Sequence, residues 1–218
     1  MVREDMPAYT RLQERRHKAT IHLLCVAMDG SWDEALDAIV EGADVNYRCE
    51  PTFHCGMQVM PGYAPLHAAA WEGDDEIIEL LVDEGADVNL QDTDGMTALM
   101  FLADIDRTGQ SDEESVRREL NAARILLRAD GVDVNVCSRY GTALDFAMRR
   151  GKDDLVRILF DAGATLIAEF IADKSIHRRL ATNGPPDGYD TVAKVRSWVT
   201  EQHARIEKKY GLKISEDM

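Results

Sequence analysis

Residues 62–89 read GYAPLHAAAWEGDDEIIELLVDEGADVN. Within EIIELLVDE the apolar residues recur at three-to-four spacing, with Ile77, Leu80 and Leu81 on one stripe, which is the period of an amphipathic helix. Gly85 ends that helix at its C-cap, where glycine takes a left-handed conformation without a Cβ clash. Upstream, PLHAAAW after Gly62 predicts a second, shorter helix, and Gly73 separates the two, 12 residues before Gly85. Ala68, Ala69 and Ala70 are small enough to let this inner helix pack closely on its neighbours. The unit is helix, turn, helix and loop, and one such pair cannot bury its apolar stripe alone.

Repetition supplies what one unit lacks. The string GADVN occurs at residues 42–46 and again at 85–89, GVDVN follows at 131–135, and a truncated GAT sits at 163–165, so the glycines stand 43, 46 and 32 residues apart. ALDAIVE, AARILLRAD and DLVRILFDA precede the other three glycines, and HLLCVAM, TALMFLA and TALDFAM provide the inner helices of those units. Gly30 and Gly151 repeat the role of Gly73.

These residues resemble the ankyrin-repeat family, whose unit is about 33 residues long and carries a T-P-L-H-x-A motif. Unit two follows that pattern nearly throughout, with Ala64 where threonine is usual. Units three and four keep Thr97 with Leu99 and Thr142 with Leu144 but replace the proline and histidine, and unit one is the most divergent. The resemblance implies an all-α solenoid of about four repeats, at residues 20–46, 62–89, 95–135 and 141–165, within a repeat region from 20 to 165. Residues 1–19 are expected to form an N-terminal helical cap and residues 166–218 a C-terminal helical cap or extension. The long spacings imply about ten extra residues in a loop at 47–61 and about thirteen around a loop at 106–115, and long loops in compact domains are usually functional or disordered. Residues 166–180 read as one more helix-pair fragment or a cap, followed by the turn-rich ATNGPPDGYD. Residues 191–210 read as a helix with Val192, Val195, Val199 and Ile206 near one face. Its excess of basic residues fits a capping helix with a solvated basic face, or alternatively a separate binding element.

Charge is confined more tightly than its total shows. The net charge is −15, but residues 29–114 hold 22 acidic residues against only Arg48 and Arg107, a local charge of −20. A field of that sign repels nucleic-acid phosphates and acidic membranes and speeds encounter with a basic partner; it equally serves as a solvated surface that keeps the protein soluble. No stretch approaches the roughly 20 consecutive apolar residues a membrane span needs, and the N-terminus has no apolar run like that of a secretory signal. The expectation is a cytoplasmic monomer that contacts neither membrane nor nucleic acid. Four scattered cysteines, Cys25, Cys49, Cys55 and Cys137, argue for reduced thiols.

Candidate chemical centres are weak. His67 has no nucleophile beside it, and in the ankyrin family that histidine braces the loop by hydrogen bonding. Cys49, His54 and Cys55 could ligate zinc chemically, but their spacing matches no common zinc module and no fourth ligand is evident, so no metal or other cofactor is expected. Asp92, Asp94 and Gly95 form a D-x-D-G without the rest of a calcium loop and read as a finger turn. Asp74-Asp75-Glu76 and Asp112-Glu113-Glu114 precede helices, where negative charge complements the dipole, and Ser111 with Glu114 makes a capping-box pattern. The chain has no phosphate-cradling glycine loop, no G-x-S-x-G and no H-E-x-x-H, and we read no catalytic centre in it.

By resemblance, the binding surface is a concave face of finger tips and inner-helix ends. The family's variable positions fall on Met28 and Asp29 in unit one, and on Tyr63, Trp71 and Glu72 in unit two. In unit three they fall on Thr93, Asp94, Met96, Asp104 and Ile105, and in unit four on Arg139, Tyr140, Arg149 and Arg150. Aromatic residues and arginine dominate interface energetics, which makes Trp71 and Tyr140 the leading anchors, although Trp71 could instead pack beneath the first long loop. The implied function is non-catalytic binding of a protein partner with a basic surface, as an inhibitor, an antitoxin or immunity protein, or an effector. The alternative is a regulatory or scaffolding subunit of a constitutive enzyme complex.

Overall fold

The computed structural model describes residues 8–49, 62–105 and 113–165, together with residue 208. Between residues 8 and 165 it carries eight helices: α1 (Ala8–Asp29), α2 (Trp32–Val40), α3 (Pro65–Glu72), α4 (Asp75–Asp83), α5 (Ala98–Asp104), α6 (Glu113–Arg128), α7 (Ala143–Arg150) and α8 (Asp153–Asp161). The one β feature among the described residues is an isolated bridge between Ser138 and Gly141. The helices pair as α1 with α2, α3 with α4, α5 with α6 and α7 with α8. Pairs then stack so that α1, α3, α5 and α7 form an inner row and α2, α4, α6 and α8 an outer row.

The apolar stripes read from the sequence account for this arrangement. On α4 the residues Ile77, Ile78 and Leu81 are fully buried, on α8 Leu155, Val156 and Leu159 are too, and each contributes roughly 1.5–3 kcal/mol by leaving water. The inner row is built more tightly, with the alanines of PLHAAA (Ala68, Ala69, Ala70) at most 1% exposed and Leu102, Ala103, Leu144 and Ala147 buried in line with them. One continuous core runs from Leu23 on α1 to Ala164 after α8. Gly73 and Gly151 end their inner helices at φ 67° and 69°, the left-handed conformation that turns the chain from the inner row to the outer.

The GADVN strings have a structural job. Asn46 accepts a hydrogen bond from the Asp87 amide at 2.7 Å and donates to the Gly85 carbonyl at 3.1 Å. Asn89 does the same one unit on, with the Asp133 amide at 2.8 Å and the Gly131 carbonyl at 2.8 Å, and Asn135 with Thr165 and Gly163 at 2.8 and 3.2 Å. Each preceding aspartate (Asp44, Asp87, Asp133) accepts from the amide of its own asparagine at 2.9 Å. Each unit thereby satisfies backbone groups of the next, as far as Thr165 among the described residues.

Two sequence boundaries move. The expected break between a cap at 1–19 and unit one at 20 falls inside α1, a single 22-residue helix, because nothing between His17 and Leu23 interrupts it and Thr20 satisfies itself on the Arg16 carbonyl at 2.8 Å. The loop expected at 106–115 gives way to helix by Glu113, and Glu113 and Glu114 fall in the first turn of α6, where negative charge complements the dipole. Most of the loop at 47–61 lies outside the described residues, but its ends are closed: the Cys49 amide donates to Tyr63 O and the Gly62 amide to Cys49 O, both at 2.7 Å. Gly62 is required there, because its φ is +85° and a Cβ would stand 2.8 Å from the Thr93 amide nitrogen. The helices expected within 166–180 and 191–210, and Ser111 and Asp112 before α6, lie outside the described residues, Lys208 alone excepted.

Candidate functional site

The finger turns and the C-terminal ends of the inner helices lie along one side of the stack, and the sequence explains how they are held. In the D-x-D-G turn, Asp92 Oδ1 accepts from the amides of both Asp94 and Met96 at 2.8 Å, while the Asp92 amide donates to Met96 O at 2.9 Å. The D-x-D-G is thus a finger turn braced by Asp92, which is only 8% exposed. His67 braces the same turn from below. Its Nδ1 accepts from the Ala64 amide at 3.0 Å, so Nε2 carries the proton and faces the carbonyls of Leu90 and Met96 at 2.9 and 3.2 Å. Burial holds the imidazole below its ordinary pKa and therefore neutral. Unit four puts Asp145 at the equivalent position, where its carboxylate accepts from the Thr142 amide at 2.8 Å and hydroxyl at 3.0 Å; burial pushes this carboxyl above its usual range.

Of the anticipated binding residues, three point inward. Tyr63, Met96 and Ile105 are 8%, 6% and 8% exposed and belong to the core, which removes them from the open face. Tyr63 packs edge-on to Phe101 at 4.9 Å between centroids, and burial together with Asp92 and Asp94 raises its phenol pKa. The inward turn follows from the Cys49–Tyr63 backbone pairing that closes the long loop, a tertiary contact no local pattern announces.

The arginines and acids of the list face each other. Arg139 pairs with Asp94 and donates to Thr93 O at 3.1 Å, and Tyr140 Oη reaches Asp94 Oδ2 at 3.4 Å, so fingers two and three are tied together. Arg150 on α7 contacts Asp104 on α5 at 3.0 Å. Arg149 donates to Tyr140 O at 2.9 Å and lies 4.5 Å over the Phe146 ring. Much of the charge on units three and four is therefore spent internally. Asp29, Glu72, Trp71 and Tyr140 stay exposed on this side and Met28 partly so, with Trp71 at 48% and Tyr140 at 41%. Trp71 packs edge-to-face with Phe101 at 6.2 Å between centroids and is half-buried.

Other candidates resolve. Cys49 is buried at the neck of the long loop, His54 and Cys55 lie outside the described residues, and no group of three metal-ligating side chains occurs among the described ones. No described helix is long and apolar enough to cross a membrane. Sequence reasoning missed two features. Asp74 and Asp75 do more than favour a helix dipole: Arg118 on α6 reaches them at 3.1 and 2.9 Å, Asn121 donates to Asp75 at 2.7 Å, and these bonds outweigh burial to keep the Asp75 carboxyl below its usual range. The other is Trp32 at the head of α2, which is 41% exposed.

The comparisons with known proteins agree with this architecture. A family model described as ankyrin repeats (3 copies) matches residues 23–112 and 66–169. An ankyrin repeat-containing protein of Schizosaccharomyces pombe is 32% identical over 80 residues, 37% of this chain and 34% of that protein, so the match spans about a third of the relative's length. With stacked helix pairs, the histidine brace and the finger turns in place, the chain belongs to the ankyrin-repeat family, whose repeats are typically non-catalytic and mediate protein–protein interaction.

Proposed function

We propose that this protein captures another protein bearing a basic surface, on the side formed by the finger turns and inner-helix ends. The observation that carries this reading is the pair of exposed aromatic rings, Trp71 and Tyr140, on a side where the other large apolar candidates turn inward. Exposed aromatic residues flanked by polar groups are the usual anchors of an interface. The −20 segment contributes by raising the encounter rate, and because units three and four neutralise part of their own charge, that field is centred on units one and two.

The test is a capture experiment at low and high salt comparing wild type with a Trp71→Ala, Tyr140→Ala variant. A bound basic protein lost with the variant and weakened by salt supports the reading; a partner retained in full by the variant overturns it. Steering is probed separately by neutralising exposed acids outside the structural set, as in Asp37→Asn, Glu41→Gln, Glu84→Gln. Association should slow and its salt dependence flatten. Asp74, Asp75 and Asp92 are unsuitable for that purpose because each carries internal hydrogen bonds.

A further inference from the structure

The three grooves between successive outer helices are built differently. In the groove between α4 and α6, Arg118 sits between Asp74 and Asp75. In the groove between α6 and α8, Lys152 meets Glu119 at 2.8 Å and also donates to Leu102 O at 2.9 Å. Each of these two grooves receives a cation from the following unit. In the groove between α2 and α4 the acids lie instead on the later helix: α4 carries Glu76, Glu79 and Asp83, and none of the three has an ion-pair or hydrogen-bond partner among the described residues. Opposite them stands Trp32, and together with Leu80 these residues line an open cleft of about 300 Å³.

Glu76, Glu79, Leu80 and Asp83 fall at i, i+3, i+4 and i+7, one face of the helix, so the carboxylates repel one another and work against α4 as a helix. A tryptophan face beside carboxylates is the arrangement that attracts a lysine ammonium or an arginine guanidinium, through the ring quadrupole and through charge together. Leu80, 9% exposed, gives the alkyl stem of such a side chain an apolar floor. We propose that the outer groove between α2 and α4 is a docking site for a basic peptide segment of a partner protein, seated by one cationic side chain between Trp32 and the Glu76–Glu79–Asp83 stripe. The external side chain supplies the cation that Arg118 and Lys152 supply to the next two grooves. This site is on the opposite row of helices from Trp71 and Tyr140, and it stands or falls independently of the finger side.

Calorimetric titration of the full chain with a hexa-arginine peptide tests it. Trp32→Ala should weaken binding about fivefold, the size of an ordinary cation–π contact, while circular dichroism stays unchanged because Trp32, 41% exposed, lies outside the buried core. Glu76→Gln, Glu79→Gln, Asp83→Asn should weaken it more than Asp37→Asn, Glu41→Gln, Glu84→Gln, which removes the same charge elsewhere. Trp71→Ala, Tyr140→Ala should leave it intact. Wild-type affinity in Trp32→Ala, equal losses in the two charge triplets, or absence of binding to wild type would each overturn the proposal. So would a concentration-dependent dimer dissolved by Trp32→Ala, which would give the groove to a second copy of the chain.

Discussion

On one flank of α4, Asp74 and Asp75 meet Arg118 and Asn121 of α6; on the other, Glu76, Glu79 and Asp83 meet Trp32 of α2 and no cation among the described residues. The same side-chain chemistry, a few residues apart on one helix, joins two units on the first flank and is left to solvent on the second. The boundary between units two and three is reinforced again by His67, which reaches the Leu90 and Met96 carbonyls, and by the Asn89 link. Between units one and two we find the Asn46 link, apolar packing of α1 on α3, and lighter contact of α2 with α4. Acid count alone is therefore a poor guide to where this surface can bind: what matters is which carboxylates the fold has already paired.

The sharpest way to break that comparison is at the stronger boundary. His67→Ala strands the Ala64 amide and opens a cavity, and should lower stability by about 3 kcal/mol in urea denaturation. A loss below about 1 kcal/mol would show that the finger is held by other means. The same residue sets a pH response. Its folded pKa lies below the unfolded value of about 6.5, so as pH falls through that value the unfolded chain takes up a proton that the folded chain does not, and stability drops. His67→Gln should flatten the acid-side decline between about pH 7 and pH 5, read from midpoints at each pH.

Arg118→Met comes next. It removes both contacts to α4 but keeps the stem, and Arg118 is 39% exposed, so screening limits the loss to about 1–2 kcal/mol. An unchanged midpoint would mean that Asn121 and the Asp74 cap suffice. The smallest effect belongs to the open flank. Glu76→Gln, Glu79→Gln, Asp83→Asn should leave stability unchanged or raise it by a few tenths of a kcal/mol by relieving like-charge repulsion along the helix. A fall of more than about 1 kcal/mol would reveal a structural partner for those acids and end the contrast between the flanks.

The helices and the unit were legible because both depend on local chemistry. Leu80 and Leu81 on one stripe, Gly73 and Gly85 at helix ends and the recurring GADVN place each element within a few residues, and the D-x-D-G turn closes on its own backbone as its residue types require. The site was less legible because exposure is set by contacts far along the chain. Tyr63 turns inward because Cys49 pairs with it across the long loop, and Arg139 and Arg150 are occupied by acids 45 and 46 residues back. Trp32 matches a core spacing yet lies open, since α2 is the outer helix of the first unit and only Ala35 and Ala38 are buried along it.

The sequence by itself determined the repeat, its helix pairs, the polar turns and the confinement of net negative charge to residues 29–114, because periodicity, capping and composition act over a few residues. Only the tertiary structure decided which acids bind arginine, which asparagines bridge units and which aromatic rings stay in water, because stacking brings together residues 40 to 50 positions apart whose pairing no local pattern encodes.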